Sequence, residues 1–219
     1  MCNPVNAFQE ALKRFAQIDP VDAAVRSGAV YDRLNKRFEI IYLGNSYRVD
    51  LAGRVWQAAK PEEEVPFNDR TIIVQYLCEA SGLPPRGTWI SFLELPDGAH
   101  HYVPLQTDAT GPLAEMFGGC PGKFSEAAER YGGRPIKLGD YSFYIPALPK
   151  LPLAVVLWEG DEEFKARSSI LFDSVSPAHL TTAALWVLGV ELARKMIACL
   201  DNQKGIAGAI TWLEGVKGN

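Results

Sequence analysis

The residue types that could do chemistry in this sequence are mostly carboxylates: Asp140, Asp161, Glu162, Glu163 and Asp173. Three of them fall in Trp158-Glu159-Gly160-Asp161-Glu162-Glu163-Phe164, where an apolar run breaks into consecutive acids. Carboxylates this close repel one another, so they are solvated, paired with Arg or Lys, or bound to a cation. Two outcomes stay open. In one, the acids line a cation or general acid–base site at a strand end, with His101 or His179 as the proton carrier. In the other, they form a wet turn in which Asp161 caps a short helix. The first outcome needs at least three acids within roughly 5 Å of one point, the range over which carboxylates couple. The spacing fits no EF-hand loop, which needs alternating ligands and a distant Glu.

The other reactive side chains carry weaker signals. His100 and His101 fall in what reads as a strand, so they face opposite ways and cannot share one metal; a hydrogen-bonded structural histidine is the simpler account. The four cysteines, Cys2, Cys78, Cys120 and Cys199, form no CxxC and no zinc spacing. Cys78 and Cys199 read as small buried apolar residues. Gly119-Cys120-Pro121-Gly122 has the look of a reactive turn, but no base pairs with it. The glycine pairs Gly118-Gly119 and Gly132-Gly133 read as helix ends, and neither GxGxxG nor GxxxxGK[ST] occurs. No metal and no cofactor is assigned on these grounds.

The elements that must position these groups follow from apolar spacing. Leu153 to Trp158 has no polar residue and is short for a helix, so it reads as a central strand covered on both faces. Leu148-Pro149-Lys150-Leu151-Pro152 leads into it, and prolines three apart predict a stiff, polyproline-like entry. The strand's C-terminal end then delivers Trp158, Asp161, Glu162 and Glu163 together. Ile136 to Ile145 reads as a preceding strand with Gly139-Asp140 at a bulge or turn. Ser169 to Phe172 reads as a following one, ending in Asp173, after which Ser176-Pro177 opens a helical turn carrying His179.

Elsewhere, residues 6–18 form an amphipathic helix capped by Asn6, and Asp19-Pro20 starts a second that Gly28 ends. Arg37 to Leu43, a Gly44-Asn45 turn and Ser46 to Leu51 read as a hairpin, with Arg54 to Gln57 as a third strand. Asn68 caps a helix whose buried stripe is Ile72, Ile73, Tyr76, Leu77 and Ala80. Thr88 to Leu95 and Ala99 to Leu105 read as a second hairpin through Pro96-Asp97-Gly98, followed by short helices at 111–117 and 122–131. A long helix runs from Thr182 to Leu200, with Glu191 and Lys195 as an exposed i,i+4 pair. Beyond Gly205, Ile206, Ile210, Trp212 and Leu213 have helical spacing and suit a final helix or a partner chain. Strand pairs alternating with helix pairs, without βαβ units, predict one α+β domain over 1–219. Its sheets are largely antiparallel, built from hairpins and packed against several helices, including the long C-terminal one.

A chain of 219 residues can bury a sizeable core, and 47% apolar with 22% charged residues is an ordinary globular balance. A net charge of −4 with no Lys/Arg block disfavours nucleic acid and anionic membrane surfaces as partners. Leu180 to Val190 is too short an apolar run to span a bilayer, and Met1-Cys2-Asn3-Pro4 lacks signal-peptide character, so a cytoplasmic protein is expected.

A set of short segments carries a resemblance: Leu43-Gly44-x-x-Tyr47-x-Val49-Asp50, Gly87-Thr88-Trp89-Ile90-Ser91-Phe92-x-Glu94-Leu95-Pro96, and Gly132-Gly133 with Gly139-Asp140. To these belong Leu148-Pro149-x-x-Pro152, Leu157-Trp158-x-Gly160-Asp161-Glu162-Glu163-Phe164 and Leu171-Phe172-Asp173. Over about residues 40 to 190 the sequence resembles an uncharacterised family, the domain of unknown function numbered 3786, of anaerobic bacteria and archaea. The resemblance implies no activity. Some members are joined to a cysteine-rich iron–sulfur module, which implies a setting in anaerobic redox or one-carbon metabolism; that module's clustered cysteines are absent here.

Two functions remain in competition. The first is a non-catalytic binding or accessory protein for a cofactor, small molecule or protein partner, since no catalytic constellation is recognisable and the aromatic residues suit an apolar pocket. Its candidate site is Trp158, Asp161, Glu162, Glu163, Asp140, Asp173 and His101. The second is a carboxylate-based enzyme using the same acids, with or without a divalent metal ion. Whether the chain forms a homo-oligomer is left open.

Overall fold

The computed structural model describes residues 4–216, with side chains from 7 to 200. It is an α+β fold with two antiparallel sheets. Helices α1 (Pro4–Phe15) and α2 (Pro20–Ser27) come first. Asn6 therefore lies inside α1 and is not its cap. α2 is built as its sequence suggests: Asp19 Oδ1 accepts from the N–H groups of Val21 and Asp22, and Gly28 ends it at φ +76°.

The first sheet has the order β1 (Val30–Asp32), β2 (Arg37–Tyr42), β3 (Asn45–Asp50), β4 (Val55–Gln57). The two-residue turn of its main hairpin is Leu43-Gly44, one residue earlier than expected, because Tyr42 pairs with Asn45. Leu43 at φ +44° and Gly44 at φ +72° supply the two left-handed residues that such a turn requires. Phe38, Ile40, Tyr47 and Val49 point into the core.

Helix α3 (Phe67–Glu79) carries the expected buried stripe but is not capped by Asn68, which lies in its first turn and donates Nδ2 to Glu191 Oε1 at 2.7 Å. The second sheet follows, in the order β5 (Trp89–Ile90), β9 (Arg167–Asp173), β8 (Leu151–Trp158), β7 (Tyr141–Leu148), β6 (Arg134–Pro135). β8 is the middle strand and is buried from Leu151 to Leu157, as a continuous apolar run requires. Its entry is not polyproline-like. Leu148 pairs with Leu151, so Pro149-Lys150 is the turn of a tight β7–β8 hairpin, with Pro149 setting the turn's first dihedral.

The expected second hairpin does not form. Of this stretch Trp89 and Ile90 alone form a strand; Phe92–Glu94 is a 3₁₀ turn, with Ser91 N donating to Glu94 Oε2 at 2.7 Å, and Ala99–Leu105 is helix α4. Pro104 would leave a gap in any strand ladder, whereas the Asp97-Gly98 carbonyls accept the first helical N–H groups, those of His100 and His101. α4 runs through a π-helical turn, Gln106–Thr110, into α5 (Gly111–Phe117). There the Gly111 N–H donates to the Gln106 carbonyl five residues back. Pro112 has no N–H for the Asp108 carbonyl and its ring crowds that oxygen, so the backbone widens just before it.

Helix α6 (Pro121–Arg130) and the long α7 (Thr182–Val216) complete the fold. The Ile206-to-Leu213 stretch continues the α7 backbone, and its side chains lie outside the described residues. Gly189 lets α7 approach β9: a Cβ there would meet Leu105 Cδ1 at 3.2 Å and Phe172 Cζ at 3.6 Å. Glu191 and Lys195 are not the exposed pair expected. Lys195 Nζ reaches Asp69 Oδ2 on α3 at 2.7 Å and Glu191 takes Asn68, so both tie α7 to α3. The buried apolar side chains of both sheets and the helices form one contiguous cluster.

Candidate functional site

The expected acidic site does not assemble as one. Asp161, Glu162 and Glu163 are exposed in the β8–β9 connection, which contains no helix. Asp161 Oδ1 accepts from the N–H groups of Glu163 (2.8 Å) and Phe164 (2.7 Å), closing a local turn in place of the expected cap. Those two bonds, Phe164's first, hold its carboxyl below the ordinary value. Asp140, in the β6–β7 turn, accepts from Glu159 N at 3.0 Å and so ties that turn to the end of β8. Asp173 ends β9, six residues beyond Arg167 and thus about 20 Å along the strand from the acidic turn.

Asp173 is fully buried, and its role there is architectural. It accepts from Arg86 N (3.0 Å), Gly87 N (2.7 Å) and Val175 N (3.0 Å), pinning the 81–88 segment across the end of the sheet. His179, also fully buried, holds the same segment through Nδ1, which accepts from Ser81 N at 3.3 Å. Among the described residues, no group of three or more His, Cys, Asp or Glu side chains is placed to hold a metal ion. Cys78 is a partly buried thiol pushed up to about 11 by desolvation.

His101 lies elsewhere. Its ring stacks on Trp186 of α7 at 5.3 Å and 16°, beside a hollow of about 570 Å³ lined by Asp97, His100, Pro177 and Thr182. The imidazole and the indole there already cover one another's faces.

Trp158 is the sequence candidate with a cleft beside it. The cleft, about 490 Å³, is lined on one side by Trp158, Arg167, Ser168 and Ser169, and on the other by Tyr102, Gln106 and the Gly111–Ala114 end of α5. Each wall has a local cause. Trp158 closes β8 opposite Arg167, and the β6–β7 turn folds against its indole: a Cβ on Gly139 would meet Trp158 Nε1 at 3.0 Å and Val156 Cγ1 at 2.5 Å. α5 is held close to the start of β9 because Gly118 faces Ala166, where an added Cβ would collide with the alanine methyl. Ser168 Oγ donates to the Thr110 carbonyl at 2.6 Å and fixes the π-helical turn against the strand. β5 pairs only with Phe172 and Asp173, so β9 from Arg167 to Leu171 has no strand on its outer side among the described residues.

Within this cleft Arg167 is the one formal charge. Its guanidinium lies 6.0 Å from the Trp158 ring centroid and makes no ion pair among the described residues. The Tyr102 hydroxyl accepts from Gln106 Nε2 at 3.3 Å and keeps its own hydrogen for another acceptor. An aromatic face, a free cation and several donors thus meet on one open surface.

Residues 19–195 match the family described as Domain of unknown function (DUF3786). The chain belongs to that family. The match covers every cleft residue named above, from Tyr102 to Ser169. No curated protein and no solved structure matches the chain.

Sequence reasoning found Trp158 but missed Arg167, Tyr102, Gln106 and Ser169. A strand over 99–105 hides Tyr102, and Pro104 is the signal against it; Gln106 lies just beyond, in the π-helical turn that apolar spacing does not announce. Arg167 and Ser169 are ordinary surface residues in sequence; only the register of β8 on β9 brings Arg167 to Trp158.

Proposed function

We propose that this member of the family is a non-catalytic ligand-binding or accessory protein whose small-molecule ligand sits in the cleft beside Trp158. The observation that supports the reading is the meeting of the half-buried Trp158 indole with the unpaired Arg167 in a cleft of about 490 Å³, a size in the range of small-molecule sites. The carboxylates of the competing enzyme reading sit in separate places, Asp173 under the 81–88 segment and Asp161 in an exposed turn. A reducing, cytoplasmic setting agrees with the free thiols of Cys78, Cys120 and Cys199.

A thermal-shift screen with corrinoids, haem, flavins and nucleotides tests the reading. A ligand that binds only the folded protein raises Tm with its concentration. At least one class raises Tm of the native chain, and Trp158→Leu abolishes that shift while melting cooperatively by itself. No shift with any class, or a shift that Trp158→Leu leaves intact, contradicts the proposal.

A further inference from the structure

We infer that the ligand of the Trp158 cleft is a planar aromatic ring system carrying an anionic group, carboxylate or phosphate, and that Arg167 reads that group. The inference rests on the ligand-binding reading of the cleft and adds the chemical class.

The cleft residues select for these two properties together. Trp158 is half-buried at the end of a strand, with its ring held from behind by the Gly139 turn, so it offers a fixed flat apolar surface. Gly111 and Ala114 on the opposite wall, and Ala166 beside Arg167, present no bulk that would fill the space over the indole. A flat ring packs there with little loss of its own freedom.

The charge argument is sharper. The whole chain is net −4, yet no carboxylate lines this cleft and its one charge is positive. Several arginines of the fold have acidic partners: Arg14 with Glu79, Arg26 with Asp22, Arg37 with Asp32 and Glu39, Arg48 with Glu39, Arg70 with Glu64 and Arg194 with Glu191. Arg167 has only the Trp158 ring, and at 6.0 Å that contact is at the outer limit of a cation–π attraction. A planar guanidinium with unused donors matches a carboxylate or phosphate in bidentate fashion. Ser169 beside Arg167, and the Tyr102 O–H and Gln106 amide across the cleft, add neutral donors. An uncharged ring would use the indole and leave the guanidinium idle; a cationic ligand would be repelled by it.

The test is isothermal titration of the full chain with two matched pairs. FMN and riboflavin differ by a phosphate; 2-naphthoate and 2-naphthamide differ by a carboxylate. The anionic member of at least one pair binds about tenfold tighter or more than its neutral partner, the scale of one charge-assisted hydrogen bond. Which pair shows the gap identifies the anion. Arg167→Gln removes the gap by weakening only the anionic member, and Arg167→Lys restores part of it. Arg167 is exposed, so both variants keep the native Tm. Equal affinity within both pairs, or a gap that survives Arg167→Gln, overturns the inference, and if Trp158→Leu still abolishes binding the ligand-binding reading stands without it. Absence of binding by all four compounds overturns the inference as well, and the Tm screen then decides separately whether the cleft is a ligand site at all.

Discussion

Asp161 and Asp173 have the same side chain and opposite surroundings. Asp161 is exposed and holds its own turn; Asp173 is buried and holds a segment 87 residues earlier in the chain, at Arg86. His179, beside Asp173, is where pH enters. Burial pushes its imidazole below the ordinary value of 6.5, and the Lys150 charge adds to this; the Leu83 backbone and Asp173 act the other way. Ser81 N and the Tyr76 ring, 6.0 Å away, are its neutral neighbours. Because the folded value is lowered, the unfolded chain takes up the proton first. The His179 contribution is therefore complete above pH 6.5 and is lost as the pH falls from there toward the folded value. Urea unfolding between about pH 7.5 and pH 5 checks this. Native stability falls across that window, and His179→Gln, though less stable at the upper end, loses that part of the slope. Parallel pH profiles for the two proteins would contradict it.

At the scale of elements, legibility followed how much of an element's fate was local. β8 could be read because six apolar residues bounded by turn residues have few alternatives. α2 could be read because Asp19-Pro20 and Gly28 do locally what their types allow. α4 could not be read by apolar alternation, since Tyr102, Val103 and Leu105 suit either period; the decisive residue, Pro104, acts by what it cannot donate. The π-helical turn that follows is likewise a consequence of Pro112, and it sets where Gln106 meets the cleft. The approach of α5 to β9 depends on a single missing side chain. Gly118→Ala would drive a methyl group into Ala166 and to within 2.7 Å of the Ala114 carbonyl. We expect a stability loss of about 1–3 kcal/mol, the usual cost of overpacking. The affinity of whichever of FMN and 2-naphthoate binds should fall with it, because the wall carrying Gly111 and Ala114 moves. Native-like affinity in Gly118→Ala would show that the spacing of α5 and β9 does not shape the cleft.

At the scale of the whole molecule, the two sheets and the C-terminal helix are joined by contacts no local pattern could announce. Leu43 N donates to the Ala147 carbonyl at 2.9 Å, linking the first hairpin to the second sheet. Lys195 and Asp69 lie 126 residues apart in sequence, and the Asp69 carboxyl, which also accepts from Tyr42 at 2.9 Å, is 1% exposed. The i,i+4 spacing of Glu191 and Lys195 suggested a local pair, but long-range partners win because burying Asp69 without its cation would cost more than a solvated helix pair supplies. Lys195→Met should destabilise the fold by about 3 kcal/mol by leaving that carboxyl uncompensated, and adding Asp69→Asn should recover part of the loss. Urea denaturation of the single and double variants measures both. A double variant as unstable as the sum of the two singles would mean that the pair does not act as a unit. Arg167 reaches Trp158 through this same level of organisation, the antiparallel register of β8 on β9, which is why the cleft escaped a reading of the sequence that found its indole.

The most direct measurement of the central claim, that ligand binds at Trp158, is the set of indole N–H signals in a two-dimensional ¹H–¹⁵N spectrum. The chain has five tryptophans, and Trp158→Phe assigns the Trp158 signal. On titration with FMN and, separately, with 2-naphthoate, at least one compound moves the Trp158 indole together with the amides of Gly111 and Ser169, and leaves Trp89 and Trp186 in place. Movement centred on Trp186, or none at Trp158 with either compound, would contradict the account.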